Sequence, residues 1–127
     1  MEDSKEQAAL LADWLEMEGY QVCVTHSVEE ALPKLDEAGP FDLVITDIFA
    51  SVSQSGQIER GLTLIDKIRS STDITLKRVP IISISGIRLE RSYAYRFDDP
   101  QSFGSNAHLA KPIDLDRLAK TIKDLTK

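Results

Sequence analysis

The sequence predicts an α/β fold in which a parallel sheet is wound on both faces by helices. Two observations carry this. Along the 127 residues, stretches with apolar residues at helical spacing alternate with short, continuous apolar runs, and such alternation builds a parallel sheet with right-handed crossovers. The two clearest runs, Phe41–Asp47 and Val79–Ser85, are apolar on successive residues, the pattern of strands buried on both faces.

Residues Ser4 to Glu18 read as a helix, with Ala8, Leu11 and Leu15 in register and Trp14 beside them. Asp3 or Ser4 can cap it, with Glu6 or Gln7 three residues on, and Gly19 ends it. Tyr20–Thr25 reads as a short strand. Ser27 opens a second helix through Glu37, Glu30 completes a capping box, and Pro33 is expected to bend or shorten it. Gly39 and Pro40 break the chain before the strand Phe41–Asp47. The polar stretch Ala50–Arg60 reads as a loop. A helix carrying Leu62, Ile65 and Ile68 on one face follows, then the strand Val79–Ser85. Between Ile87 and Ser105 the pattern is weakest, with a short helix expected over Leu89–Arg96 and a loop around Asp98, Asp99 and Pro100. His108–Ala110 reads as a short strand before Lys111 and Pro112, and Asp114–Leu125 as a last helix with Leu115, Leu118, Ile122 and Leu125 in register.

Composition narrows the function. A chain of this length, 42% hydrophobic and 28% charged, suits one soluble domain with one core. No run of about 18 apolar residues is present, so no membrane span is expected, and the acidic, polar N-terminus is no secretory signal. The net charge of −6 argues against a binder of nucleic-acid backbones, which needs clustered Lys and Arg. The single cysteine, Cys23, cannot form an internal disulfide, and a reducing cytoplasm is its expected home.

Open parallel sheets bind ligands beyond the carboxyl ends of their strands, so Asp47, Ser85 and Lys111 are the residues to weigh. Each has a plainer reading. An Asp ending a strand serves a turn or cap, Ser85 before Gly86 serves a turn, and Lys111 before Pro112 is a solvated loop lysine. Glu2 and Asp3 can simply favour a helix N-terminus. As a set they are more specific, because each of the three terminates a successive buried strand.

The segment FDLVITDIF resembles the acceptor strand of response-regulator receiver domains. IISISG resembles their hydroxyl-bearing strand, and HLAKPIDLDRL their lysine strand and last helix. EDSKEQAALLADWLEMEGYQV is similar to their acidic pair, first helix and second strand, and SVEEAL to their second helix. The resemblance covers nearly the whole chain and implies a flavodoxin-like, doubly wound parallel sheet forming a single domain over residues 1–127. It implies that Asp47 takes a phosphoryl group from a histidine kinase or phosphotransfer protein, as a signalling domain rather than an enzyme, with output through contacts to a protein target. Glu2, Asp3, Asp47 and the backbone carbonyl of Phe49 are then the ligands of Mg²⁺, a hard cation that takes carboxylates and waters. Lys111 pairs with the phosphoryl oxygens, Ser85 hydrogen-bonds one of them, and Ser85 and His108 are the switch positions.

The sequence departs from this family at four places. The apolar strand that precedes the acidic pair, central in the family's sheet, has only Met1 in its place, so the first strand is missing or replaced. A longer natural chain, a strand swapped from a second copy in a homodimer, or direct pairing of Tyr20–Thr25 with the Asp47 strand would each answer this. Glu2 replaces the more usual Asp and is longer by roughly 1.5 Å. The loop after Asp47 lacks the usual proline and is longer, its segment Ser51–Arg60 being a lid, a partner contact or a tolerated insertion. His108 stands where receivers carry an aromatic residue that turns inward. Imidazole can make the same swing and add pH sensitivity, or serve as a strand-end histidine with no switch role. The chain stops two residues after Leu125, so a stand-alone or excised receiver is expected. The alternative from another class is a non-phosphorylated pseudo-receiver, an interaction or dimerisation module. A nucleotide-binding or hydrolase fold is disfavoured, because no Gly-rich phosphate loop follows a strand.

Overall fold

The computed structural model describes residues 5–37, 39–47, 49–52, 58–86 and 104–126. Helix α1 spans Lys5–Met17 and α2 Val28–Glu37. Strand β1 is Val44–Asp47, followed by a hairpin of β2 (Phe49–Val52) and β3 (Ile58–Arg60). Helices α3 (Gly61–Arg69) and α4 (Ile74–Lys77) precede β4 (Ile81–Gly86), and β5 (Ala107–Lys111) leads into α5 (Leu115–Leu125). None of the described helices is long and apolar enough to cross a membrane.

Local chemistry explains the boundaries. Gly19, at φ +97°, lets α1 close with Tyr20 N–H donating to the Leu15 carbonyl, a turn that favours glycine. At the start of α2 the Glu30 N–H donates to Ser27 Oγ at 3.2 Å, half of the expected capping box. Pro33 does not end α2. It is exposed, so the carbonyl left without an N–H partner stays with solvent. Asp114 caps α5, its carboxylate accepting from the N–H groups of Asp116 and Arg117. Asp73 caps the short α4 in the same way, an element the apolar pattern did not reveal.

Strands β1, β4 and β5 form a parallel sheet in the order β1-β4-β5. Successive residues of β4 feed opposite faces. Ile81 joins Val28, Ala31, Leu64, Ile65, Ile68 and Val79 on the α2/α3 side. Ile82 joins Leu15, Leu109, Leu118 and Ile122 on the α1/α5 side. Each such fully buried Leu or Ile contributes about 1.5–3 kcal/mol by leaving water. The sheet is thus doubly wound, as expected.

Three expectations are corrected. Tyr20–Thr25 forms no strand. Neither does it pair with the Asp47 strand, since β1 pairs only with β4 among the described strands. A strand exists through its neighbour's hydrogen bonds, and no described strand pairs with this segment. The stretch Ala50–Arg60 is no simple loop either. Parts of it form the antiparallel pair β2–β3, with Phe49 opposite Arg60 and Val52 opposite Ile58. The helix expected at Leu89–Arg96 and the loop at Asp98–Pro100 lie outside the described residues.

Candidate functional site

Parallel register decides what meets at the carboxyl edge of the sheet. Asp47 lies opposite Ile84, one residue short of Ser85. Ser85 lies opposite Ala110, and Gly86 opposite Lys111. The three candidates therefore step diagonally across three adjacent strand ends. With strands about 4.8 Å apart and about 3.3 Å per residue, the Cα of Asp47 is roughly 6 Å from that of Ser85 and roughly 12 Å from that of Lys111. This is the edge where sheets of this kind place their ligands.

Asp47 is buried, 4% exposed, and its backbone carbonyl accepts from the Thr46 hydroxyl at 3.2 Å. A carboxylate withdrawn from bulk water needs protein or metal cations to stabilise any charge it gains. Phe49 starts β2, which places its backbone two residues past Asp47. Asp47 and the Phe49 carbonyl are hard oxygen donors of the kind Mg²⁺ prefers. Glu2 and Asp3 lie outside the described residues, and no three His, Cys, Asp or Glu side chains gather as a metal cluster among those described.

His108 is not at the strand end as expected but second in the five-residue β5, directly opposite Ser83. Its Nδ1 shares a hydrogen bond of 2.8 Å with Ser83 Oγ, and that hydroxyl also donates to the Ala107 carbonyl. Ser83 is fully buried. Nothing singled it out beforehand, although its place two residues before Ser85 in the same strand puts it on the repeat of one sheet face.

At the opposite edge, Arg69 holds the entrances of β4 and β5 together. Its Nε donates to the Gly104 carbonyl at 2.9 Å, Nη1 to the carbonyls of Lys77 and Val79 at 2.7 Å each, and Nη2 to Asn106 Oδ1 at 2.9 Å. Asn106 Oδ1 also accepts from the Ile81 N–H at 2.8 Å. Desolvation lowers the Arg69 pKa from its ordinary value. By fixing where β4 and β5 begin, this network fixes the register that sets Ser85 opposite Ala110 and Gly86 opposite Lys111.

The response regulator receiver domain model matches residues 1–123 of the chain. The chain belongs to the response regulator receiver family. Among curated relatives of this receiver is the polar-differentiation response regulator DivK of Brucella ovis, 27% identical over 125 residues, covering 97% of this chain and 89% of that protein. Among solved structures, a response regulator from Chloroflexus aurantiacus superposes with a TM-score of 0.78 at 27% identity, covering 99% of this chain and 93% of that one. The receiver domain of a sensor histidine kinase from Pseudomonas aeruginosa, which holds magnesium in its active-site cleft, shares the fold at TM-score 0.78 and 21% identity, with the same coverages.

Proposed function

We propose that this receiver takes a phosphoryl group from a phosphohistidine of a histidine kinase or phosphotransfer protein onto Asp47. A carboxylate oxygen attacks phosphorus, the new O–P bond forms as the P–N bond breaks, and the departing imidazole nitrogen takes the electron pair and then a proton. Such transfer asks for positioning and charge neutralisation more than for a strong nucleophile. The observation that carries the reading is the register that sets Asp47, Ser85 and Lys111 on neighbouring strand ends. Lys111 neutralises the incoming phosphoryl oxygens as a point charge, and the Ser85 hydroxyl donates to one of them. Mg²⁺ would be held by Glu2, Asp3, Asp47 and the Phe49 carbonyl, and when bound it supplies positive charge to the transferring group. The switch role falls to Ser85 and His108. The hydrogen bond between Ser83 Oγ and His108 Nδ1 selects the ring orientation from which a change begins. Signalling then proceeds through protein contacts in the cytoplasm.

The rival is a non-phosphorylated interaction module, favoured by the burial of Asp47. Intact mass after incubation with Mg²⁺ and a small-molecule phosphodonor separates the two. One added phosphate, lost in Asp47→Asn, is expected. An unchanged mass at every Mg²⁺ concentration would reject phosphotransfer and leave the interaction module standing.

A further inference from the structure

The middle strand carries a buried hydroxyl that phosphoryl transfer itself does not use. Ser83 is fully buried, between Thr46 of β1 and His108 of β5 in one cross-strand row. The Thr46 hydroxyl donates to the Asp47 carbonyl. That of Ser83 turns to β5, where its Oγ lies 2.8 Å from His108 Nδ1 and 3.2 Å from the Ala107 carbonyl. A hydroxyl can both donate and accept. With Nδ1 protonated, the ring donates to Ser83 Oγ and the serine hydrogen goes to Ala107. With Nδ1 bare, the hydroxyl donates to the ring instead. The Ala107 carbonyl also accepts from Ser105 Oγ at 2.6 Å, so it keeps a partner in both arrangements. Ser83 therefore seats the imidazole in either tautomer.

Residues two apart on a strand share a face, so Ser83 and Ser85 belong to one face of β4, with Ser85 next to its carboxyl end. His108 stands directly opposite Ser83 and diagonally opposite Ser85. The diagonal Cα separation is about 8 Å, within reach of a ring that turns about its first side-chain torsion. When Ser85 gives its hydrogen to a phosphoryl oxygen, its own oxygen becomes a better acceptor, because hydrogen bonds in a chain polarise one another. An imidazole has at least one N–H in every protonation state, so His108 can always answer that acceptor.

We infer that Ser83 is a positioning residue for the switch ring: its hydroxyl holds His108 against the middle of β4 and competes with Ser85, whose oxygen receives the ring once a phosphoryl group is on Asp47. This rests on the phosphotransfer reading of the site and adds to it the group that sets the threshold of the switch. The direct and diagonal seats are two arrangements of one side chain, and each serine biases the balance between them. A single neutral hydrogen bond shifts such a balance by about two- to tenfold. Removing the Ser83 hydroxyl favours the Ser85 seat, and by reciprocity it strengthens phosphoryl binding at Asp47 by the same factor.

Nitrogen NMR of the full chain, labelled at histidine, reports the seat directly. The chain has two histidines, and the signals lost in His108→Phe are those of His108. Mg²⁺ with beryllium fluoride serves as the probe, a stand-in for the phosphoryl group on Asp47. The His108 nitrogens are expected to shift when the probe saturates the wild type, and to have shifted already in probe-free Ser83→Ala. Ser83→Ala is expected to bind the probe about two- to tenfold more tightly. Ser83→Cys, which keeps the volume but is only a weak donor, is expected to follow in the same direction. In a His108→Phe background the gain from Ser83→Ala vanishes, which a packing effect alone would not produce. His108 nitrogens unmoved by both Ser83 variants, an unchanged probe affinity, or an equal gain in the His108→Phe background would each overturn the inference. A wild type that neither binds the probe nor gains phosphate removes the phosphotransfer reading and this inference with it. A wild type that binds the probe while its His108 nitrogens stay still removes this inference alone.

Discussion

Replacing Arg69 by Met removes the guanidinium while keeping an unbranched stem that still covers the end of the α2/α3 core. The acceptors it leaves behind set the cost. Those on Lys77 and Asn106 belong to exposed hydrogen bonds, and water replaces the donor there. The carbonyls of Val79 and Gly104 take part in part-buried bonds, and each loses about 1–3 kcal/mol when its partner goes. Removing a partly desolvated cation returns some of this, so the net loss is about 2–4 kcal/mol. In urea, where domains of this size lose about 1–3 kcal/mol per molar, the unfolding midpoint falls by roughly 1–2 M with the slope unchanged. The pH dependence follows from the sign of the Arg69 shift. Its pKa is lowered by burial, so the unfolded chain holds the proton more tightly. Its stability contribution therefore changes only in the strongly alkaline guanidinium range, and the gap between the two proteins stays flat from about pH 5 to 9. A loss below about 0.5 kcal/mol, the range of ordinary surface substitutions, would refute the claim that Arg69 clamps the two strands.

Three further outcomes follow from particular contacts. Gly104→Ala is expected to cost about 2–4 kcal/mol by the same urea assay, from a strained backbone and a crowded core. Its new Cβ would sit 2.9 Å from Ile65 Cγ2 and 3.2 Å from Arg69 Cγ, at φ +94°. Asp114→Ala strips the cap of α5 and lowers stability by about 1 kcal/mol, seen as a shift in thermal midpoint. On the phosphotransfer reading, Lys111→Met loses a charged hydrogen bond of about 1.5–3 kcal/mol, slowing phosphorylation by a small donor roughly ten- to hundredfold. An unchanged rate in stopped-flow or mass measurements would remove Lys111 from the site.

Much of the frame was legible because it rests on burial. The strands at Val44–Asp47 and Ile81–Gly86 announce themselves by apolar residues on both faces, and α5 by its amphipathic register. Asp47, Ser85 and Lys111 were legible as strand ends, and only register could make them neighbours. Tyr20–Thr25 misled because composition records a preference for extended backbone, whereas a strand also needs a partner. The β2–β3 pair was hidden by its brevity, two short arms of mixed polarity around polar residues. Arg69 was hidden for another reason. Three of its four acceptors are backbone carbonyls, which every residue type carries, so no letter of the sequence marks them. The pairing of Ser83 with His108 is likewise a product of register.

The way β4 is set into two cores also constrains how a signal can leave this molecule. With Ile81 committed to one apolar layer and Ile82 to the other, a shift of one residue along the strand would send each isoleucine to the wrong side and exchange the Ser83–His108 partnership for a mismatch. The middle of the sheet therefore behaves as a fixed rail. Sliding is closed to a signal from its tips, and among the described residues the imidazole of His108 on β5 is a ring whose rotation would break a bond to that rail.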